Sequence, residues 1–298
     1  DKCLEMGFQD EMSRLIQSLP GLRRHFLLSA TEAEEIPRFV HMGRVEKIDY
    51  RMDEEQVPER VHIYKVESPV KDKLESLGRL LRSLGETSTI VFLNYRDSVE
   101  RTNNYLVEQG FSTSFFHGGL EQKEREASLY RFSNGSANIL VSTDLASRGL
   151  DIPDIDNIIH YHIPESEDGY IHRVGRTARW EAQGRAFFLL GPEEHIPEYV
   201  DAAVEDYEIP AVEELPAPAK PKMATLYIGK GKKDKISKGD ILGFLCKKGG
   251  LNSSEIGKID VNDRYAYAAI ARPKLKSVLN NVKGEKIKGV KTIVEEVR

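Results

Sequence analysis

Ten consecutive residues, YIHRVGRTAR (Tyr170 to Arg179), hold three arginines and one histidine around Gly175. Planar guanidinium groups bind phosphate oxygens in pairs, and arginines aimed at a transferring phosphoryl group accelerate nucleotide hydrolysis by roughly 10³–10⁵. If this stretch starts a helix after a loop, Arg176 and Arg179 lie three residues apart and share one face. The alternative is an arginine-rich surface helix that pairs with nearby acids, each pair being worth about 0–1 kcal/mol.

A second polar stretch, DLASRGLDIP (Asp144 to Pro153), follows the apolar run NILVST. Arg148 can hold a phosphate, Gly149 lets the backbone come close to a ligand, and Asp151 can accept hydrogen bonds from ribose hydroxyls. Both polar stretches therefore favour an anion site built from loops.

Loops of this kind need a sheet to position them. Between residues 61 and 207 the apolar runs TIVFLN, FSTSFFH, NILVST, DNIIHYHI and RAFFLL alternate with helical patterns. This alternation is typical of an α/β fold, a parallel sheet flanked by helices. Since ligands bind at the carboxyl ends of strands in such sheets, we expect the chemistry in the loops that follow those ends.

The net charge of −5 is unevenly distributed along the 298 residues. Residues 222–298 hold 18 Lys and Arg against 8 Asp and Glu, whereas the first 221 residues hold 25 against 40. A proline-rich stretch, residues 208–222, separates the two regions and is typical of a semi-rigid linker rather than a packed element. The basic end favours a polyanion as partner, and the alternative is a lysine-rich solvated surface.

Composition narrows the class of protein further. No apolar run approaches the roughly 18 residues that a membrane span needs, so we expect no membrane partner. Cys3 and Cys246 are too far apart for a metal or redox pair, which favours a reducing, cytoplasmic location. Residues 1–50 contain too few elements for an independent domain, and their unpaired strands could promote self-association.

Four motifs occur in a fixed order: SAT (Ser29 to Thr31), FHGGLEQKER (Phe116 to Arg125), STDLASRGLDIP and HRVGRTAR. Together they resemble the DEAD-box RNA helicases over essentially residues 1–212. In that family two RecA-like lobes close over ATP and single-stranded RNA. The resemblance implies the end of a first lobe at 1–50, a linker at 51–60, a RecA-like second lobe at 61–207, RNA as partner, and ATP with Mg²⁺ as cofactors of the full-length parent.

The resemblance also implies roles for individual residues. The group at the nucleotide comprises the arginine fingers Arg176 and Arg179, the last aspartate of the family's name motif, Asp1, and the nucleotide-contacting or coupling residues Asp151, His172, Arg173, Ser29 and Thr31. The group at the RNA backbone comprises Gly118, Gly119, Gln122, Arg125, Thr143, Arg148 and Gly149.

No G-x-x-x-x-G-K-[ST] phosphate loop occurs in the sequence. We therefore expect an ATP-dependent RNA helicase whose 298-residue chain does not hydrolyse ATP alone. Two alternatives remain, a non-enzymatic RNA-binding module and a related DNA helicase.

The basic end, residues 223–298, has a βαββαβ pattern of about the length of an RNA-recognition fold. In DRYAYAAI, Tyr265 and Tyr267 stand at alternate positions, where they either stack bases or pack within the sheet. A helicase core followed by such a domain resembles the DbpA family, whose tail binds a hairpin of large-subunit ribosomal RNA in pre-ribosomal particles. Our candidates for contacts with the RNA backbone are Lys230, Lys232, Lys233, Lys235, Lys247 and Lys248.

Overall fold

The computed structural model describes residues 9–19, 21, 23–24, 26, 46, 60–147, 155–177 and 183–297. The chain divides into a unit that ends at Glu55 and a unit that begins at Gln56. In the first unit, residues Gln9–Gln17 form helix α1. Asp1, Ser29 and Thr31 lie outside the described residues. None of the helices in the described ranges is long and apolar enough to cross a membrane.

The second lobe, residues 61–207, is built on one parallel sheet. Its strands are β1 (Val61–Glu67), β2 (Thr89–Phe92), β3 (Thr113–Phe116), β4 (Ile139–Ser142), β5 (Asn157–His160), β6 (Gly184–Leu190) and β7 (Val204–Asp206). Its helices are α2 (Leu74–Leu84), α3 (Arg96–Glu108), α4 (Gln122–Ser133) and α5 (Glu167–Val174). The strand order is β3-β4-β2-β5-β6-β1-β7. The predicted α/β class with a RecA-like sheet is confirmed.

The central strands are buried on both faces, as their uninterrupted apolar runs predict. All four residues of β2, of β4 and of β5 are buried. Along β2, Ile90 and Phe92 join one core cluster, while Val91 joins the cluster on the opposite face. Successive side chains point to opposite faces of a strand, so each run serves two layers of helices.

Strands β1 and β7, at one end of the sheet, were not predicted from the sequence. Strand β1 pairs in parallel with β6 over seven residues, from the pair Val61–Gly184 to the pair Glu67–Leu190, and β7 adds a further strand beside β1. The run VHIYKVE buries Val61, Ile63 and Val66 but interrupts them with His62 and Lys65, so it has neither the continuous apolar run of the central strands nor a strict alternation.

The proline-rich segment 208–222 lies packed on the second lobe. The guanidinium of Arg82 donates to the carbonyls of Leu215 and Pro216, each at 2.7 Å, and Arg79 donates to the carbonyl of Pro210 at 3.2 Å. Leu215 is buried. The expectation of an unpacked linker is therefore wrong: prolines donate no backbone N–H, but carbonyls along this stretch still accept hydrogen bonds from helix α2.

The tail domain, residues 223–298, has the predicted α+β pattern. Its elements are β8 (Met223–Ile228), α6 (Lys238–Lys247), β9 (Ile256–Val261), β10 (Ala266–Ala271), α7 (Leu275–Asn281), β11 (Lys286–Ile287), β12 (Val290–Lys291) and β13 (Val294–Glu296). The antiparallel sheet has the order β13-β8-β10-β9, and β11 and β12 form a separate hairpin that was not predicted. Leu226, Ile228 and Ala268 point from this sheet into the tail's own core.

Candidate nucleotide and RNA site

Arg173, fully buried, joins the loops at the carboxyl edge of the second lobe's sheet. Its Nε and Nη2 atoms lie 2.5 and 3.0 Å from the two carboxylate oxygens of Asp144. Nη2 also donates to Oδ1 of Asn94 at 2.8 Å, and Nη1 donates to the carbonyl of His162 at 2.7 Å. One guanidinium thus fixes the loops after β2, β4 and β5, and the described contacts of Arg173 lie within its own lobe.

Helix α5 presents Arg173 to this edge. The side chain of Ser166 caps the helix by accepting the amide of Gly169 at 3.1 Å, and Tyr170 and Val174 turn into the core on the same side as Arg173. Nε2 of His172, whose side chain is 13% exposed, lies 3.2 Å from a carboxylate oxygen of Asp168.

The helix ends at Val174, so the expectation that this stretch starts a helix carrying Arg176 and Arg179 on one face is wrong. Arg176 lies half-buried in the turn that follows, where its amide donates to the carbonyl of Arg173 at 3.2 Å. Its own carbonyl accepts the amide of Ile155 at 3.3 Å, which draws the chain out of helical geometry into a bridge between Ile155 and Thr177. Arg179 lies outside the described residues.

The turn that carries Arg176 is held from the other side by β6. A β-carbon at Gly184 would lie 2.1 Å from Oγ1 of Thr177, closer than any real side chain approaches. The Thr177 hydroxyl donates to the carbonyl of Ile155. Glycine at position 184 therefore lets β6 begin against Thr177, and the Arg176 turn is fixed between two strands.

The loop after β3 holds the glycines of the expected RNA group. Arg125 donates from Nη2 to the carbonyl of Gly118 at 2.7 Å, and the amide of Gly119 donates to Nδ1 of His117 at 3.1 Å. A β-carbon at Gly118 would lie 3.3 Å from Nη2 of Arg96. The loop is consequently compact, with a guanidinium close to each side of Gly118.

The loop after β4 lies beside the loop after β3. The amide of Thr143 donates to the carbonyl of Phe116 at 3.2 Å. The structure therefore brings Gly118, Gly119, Arg125 and Thr143 together at neighbouring strand ends, with Gln122 exposed in the first turn of α4. Arg148, Gly149 and Asp151 lie outside the described residues.

Several residues of this edge were not predicted as site residues. Asn94 and Arg96 follow β2, and His162 follows β5, at the same edge as the predicted groups. The rule that ligands gather at carboxyl ends of parallel strands could have found Asn94 and Arg96, because they directly follow the run TIVF. Nothing in the spacing of Asp144 and Arg173 shows that they pair.

A buried lysine lies beneath the loop after β5. Lys73 donates from Nζ to the carbonyls of Tyr161 and Leu189, at 2.5 and 3.0 Å, and to Glu194 at 2.5 Å. Burial lowers the pKa of the Lys73 ammonium, and the Glu194 carboxylate opposes that shift. Burial, helped by the charge of Lys73, also lowers the pKa of His162 to about 4. His162 is therefore neutral near pH 7, and its Nδ1 accepts the amide of Asn94 at 3.1 Å.

The six candidate lysines of the tail fall into two groups on different elements. Lys230, Lys232, Lys233 and Lys235 lie in the turn after β8, whereas Lys247 and Lys248 lie at the end of α6. Lys230 pairs with Asp234 at 3.0 Å, Lys233 with Asp263 at 3.6 Å and Lys248 with Glu285 at 3.2 Å. Within the described part of the chain, the exposed Lys232, Lys235 and Lys247 make no ion pair.

Tyr265 and Tyr267 both contact the second lobe. The ring of Tyr267 stacks on Tyr130 of α4, with centroids 5.0 Å apart, and the Tyr265 hydroxyl donates to Glu126 of the same helix. Burial raises the pKa of Tyr267 to about 12. The described residues hold no cluster of three metal-ligating side chains, and Asp1, the last aspartate of the family's name motif, is outside them.

Comparison with known proteins gives two family matches. Residues 72–181 match the helicase conserved C-terminal domain, and residues 225–296 match the DbpA RNA binding domain. The ATP-dependent RNA helicase DbpA of Escherichia coli is 34% identical over 298 residues, which is 97% of this chain and 64% of that protein. The ATP-dependent rRNA helicase RRP3 of Yarrowia lipolytica is 34% identical over 191 residues, covering 64% of this chain and 40% of that protein.

The structure of S. cerevisiae Dbp5 bound to RNA and ADP BeF3 matches with a TM-score of 0.56 at 22% identity, over 67% of this chain and 55% of that one. That likeness is one of fold. The fold and the two family matches define a helicase C-terminal lobe joined to an RNA-binding domain. In these two regions the chain is similar to the DbpA family of DEAD-box RNA helicases, and it spans 64% of the length of the E. coli relative.

Proposed function

We propose that this chain is part of an ATP-dependent RNA helicase, namely the part that binds RNA and supplies the arginines that contact ATP. The helicase remodels ribosomal RNA during assembly of the large ribosomal subunit, in the cytoplasm. The observation that carries the proposal is the edge of the second lobe, where Arg173 joins the loops after β2, β4 and β5 and the loop after β3 lies beside the loop after β4. Loops whose backbones are held in place, with guanidinium groups nearby, can bind the phosphate backbone of RNA.

RNA contact at this edge is proposed for the loop 117–119, for Gln122 and Arg125, and for Thr143. Arg125 and Arg96 approach Gly118 from two sides, so a phosphate placed on this loop would lie close to two positively charged groups. Contacts of this type position the strand and carry little sequence information. We therefore expect this edge to bind unrelated single-stranded RNA sequences with similar affinities. Arg148 and Gly149 are proposed to belong to the same RNA-binding surface.

Nucleotide contact is proposed for Arg176 and Arg179, with Asp151 and His172 beside them. ATP, bound with Mg²⁺, would supply the transferable phosphoryl group. Arg176 suits this role in one respect: its backbone is locked between Ile155 and Arg173, so little freedom is lost when its guanidinium meets a phosphate. The ligands of Mg²⁺ are assigned outside the described residues, with Asp1 among the candidates.

The 298-residue chain on its own is proposed to lack ATPase activity, because its sequence contains no phosphate loop. The test is a steady-state assay of phosphate release from ATP with saturating single-stranded RNA. We expect no release above that of an Arg176→Ala variant, which controls for contaminating ATPases. Turnover by the wild-type chain that disappears in Arg176→Ala would contradict the proposal.

RNA as the polyanion is tested by competition. A fluorescent RNA hairpin with the sequence of a large-subunit ribosomal RNA stem-loop is bound to the chain and displaced with unlabelled RNA or DNA of the same sequence. We expect the DNA to compete at least tenfold more weakly, because 2′-hydroxyl groups and A-form shape distinguish the two. Equal competition would instead favour a related DNA helicase.

A further inference from the structure

The two central strands of the tail sheet, β8 and β10, are largely buried on both faces. Leu226, Ile228 and Ala268 point into the tail's own core. On the opposite face, Thr225, Tyr267 and Ala269 are 1%, 3% and 0% exposed, although no tail helix covers them. Their cover comes from helix α4 of the second lobe and the turn that follows it.

Aromatic stacking forms the centre of this contact. Tyr130 of α4 stacks on Tyr267 at 5.0 Å with the rings inclined by 30°, and Tyr227 stacks on Tyr265 at 5.8 Å with an inclination of 29°. The ammonium of Lys123 lies 5.1 Å from the ring centre of Tyr227. Stacked and cation–π contacts of this geometry add to the gain from buried apolar area.

Directional hydrogen bonds surround the rings. The hydroxyl of Tyr130 donates to the carbonyl of Lys258, and the hydroxyl of Tyr265 donates to the carboxylate of Glu126. Both hydroxyls therefore have a partner across the boundary between lobe and tail. Burial, followed by the bond to Glu126, raises the pKa of Tyr265, so this tyrosine stays a donor at neutral pH.

A network of hydrogen bonds between polar residues lies at one end of the contact. Asn134 donates from Nδ2 to Oγ1 of Thr225 at 2.9 Å, and Thr225 donates to Oγ of Ser136 at 2.8 Å. Arg272 donates to the carbonyl of Ser136 at 3.2 Å and to that of Pro221 at 2.8 Å. Polar groups that are buried and mutually satisfied in this way fix a single orientation of two surfaces.

We propose that the tyrosine face, defined as Thr225, Tyr227, Tyr265 and Tyr267, is a docking surface for helix α4 of the same chain and is not a base-stacking platform. The tail domain is thereby fastened to the second lobe. Helix α4 also carries Gln122 and Arg125 in its first turns, so the helix that docks the tail is the one that borders the loop 117–119. Docking the tail therefore holds this edge of the lobe in place.

The first test is hydroxyl-radical footprinting of tyrosine side chains in the whole 298-residue chain. Tyr130 is 5% exposed through its cover by the tail sheet, Tyr170 is 2% exposed in the core of the lobe, and Tyr95 is 62% exposed. In the wild-type chain we expect Tyr130 to react as slowly as Tyr170. A rate for Tyr130 close to that of Tyr95 would overturn the proposal.

The second test separates docking from RNA stacking. In Tyr267→Ala we expect oxidation of Tyr130 to rise at least fivefold, with Tyr170 unchanged and with affinity for a 12-nucleotide oligouridylate within twofold of wild type. Removing a base-stacking ring costs about 1–3 kcal/mol, or roughly 5- to 150-fold in affinity. Loss of affinity in that range with Tyr130 still protected would show that the face binds RNA.

A more conservative variant tests the same proposal if Tyr267→Ala does not fold. Tyr265→Phe keeps the ring and removes only the hydrogen bond to Glu126, and Tyr199→Phe removes a hydroxyl that donates to Pro164 inside the lobe. We expect Tyr265→Phe, and not Tyr199→Phe, to raise oxidation of Tyr130 about twofold or more. Equal reactivity of Tyr130 in the two variants would count against docking.

Discussion

Arg173 and Asp144 form a two-point ion pair in which the guanidinium is fully buried and the carboxylate is 48% exposed. The arginine comes from α5, and the aspartate follows β4. Because the same guanidinium also binds Asn94 and the carbonyl of His162, its loss would release three loops at once. The pair therefore makes the loop edge of the second lobe depend on one side chain.

Arg173→Lys is expected to lower the free energy of unfolding of the second lobe by about 2–4 kcal/mol. A lysine cannot reproduce the planar fork that holds Asp144, and it leaves buried acceptors without a donor. Urea unfolding followed by the fluorescence of Trp180, the only tryptophan of the chain, measures the change. The matched control is Arg101→Lys, whose pair with Asp72 is exposed on both sides and should cost less than about 1 kcal/mol. Equal losses for the two variants would contradict this account.

The stability of the lobe should fall in mild acid because of His162. Its pKa is lowered to about 4 in the folded chain, mainly by burial, whereas the unfolded value is 6.5. As the pH falls from 6.5 towards 4, the unfolded chain takes up the proton first, so this stabilisation is complete above pH 6.5 and is lost across that interval. With allowance for partial solvent exposure, the loss at pH 5 is about 1–2 kcal/mol.

His162→Asn tests this expectation, since the asparagine oxygen can accept the amide of Asn94 in place of Nδ1 but does not titrate. Urea unfolding at pH 7.5 and at pH 5.0 should give a smaller difference for His162→Asn than for the wild type. The exposed His62 on β1 provides the control His62→Asn, which should keep the wild-type difference. The fully buried His160, whose pKa burial also lowers, will retain part of the pH dependence in all three chains.

The contact between Gly184 and Thr177 predicts a destabilising substitution. Gly184→Ala places a β-carbon 2.1 Å from Oγ1 of Thr177, so β6 or the Arg176 turn must move, at a cost of about 1–3 kcal/mol. Adding Thr177→Ala removes the nearest atom and should recover part of the loss, which a double-mutant cycle by urea unfolding would show as coupling. The control Gly78→Ala meets only ordinary contacts with Tyr105 and lies in a helix, so it should be neutral or slightly stabilising. Additive effects of the first two substitutions would refute the clash.

The sequence predicted the layers of this fold better than the contacts between them. Central strands such as β2 are recognisable because burial on both faces requires an uninterrupted apolar run. Strand β1 lacks such a run, and nothing local in the proline-rich segment indicates its partners, Arg79 and Arg82, which lie far away in sequence. Tyr265 and Tyr267, just before and within β10, have the alternating spacing that either base stacking or packing on Tyr130 would require, so the sequence does not distinguish the two.

For the candidate site, likewise, the positions of the loops could be predicted from the sequence, whereas the backbone geometry of Arg176 could not. Gly118, Gly119 and Thr143 were predicted from the resemblance to the DEAD-box helicases, and the strand-end rule explains why the structure places them at neighbouring strand ends. The geometry of Arg176 could not be read in the same way. Helical spacing put it on a helix, whereas the bridge between Ile155 and Thr177, set by β5 and β6, ends that helix at Val174. Long-range pairing of this kind leaves no local signal.

The lysines of the tail should differ in how much they contribute to RNA binding. Lys232, Lys235 and Lys247 are exposed, and in the described ranges they have no carboxylate partner, whereas Lys230 and Lys248 are already paired with Asp234 and Glu285. Each cation that neutralises a phosphate adds about 0.7–0.9 to the slope of log affinity against log salt. We expect Lys232→Gln to lower the slope for a ribosomal RNA hairpin by nearly that amount, and Lys230→Gln to lower it by less than half of it.

Fluorescence anisotropy titrations at four salt concentrations between 50 and 300 mM potassium chloride, at roughly even spacing in the logarithm, provide the slopes. Equal slopes for Lys232→Gln and the wild-type chain would remove Lys232 from the RNA surface, and a larger decrease for Lys230→Gln would mean that its pair with Asp234 opens when RNA binds.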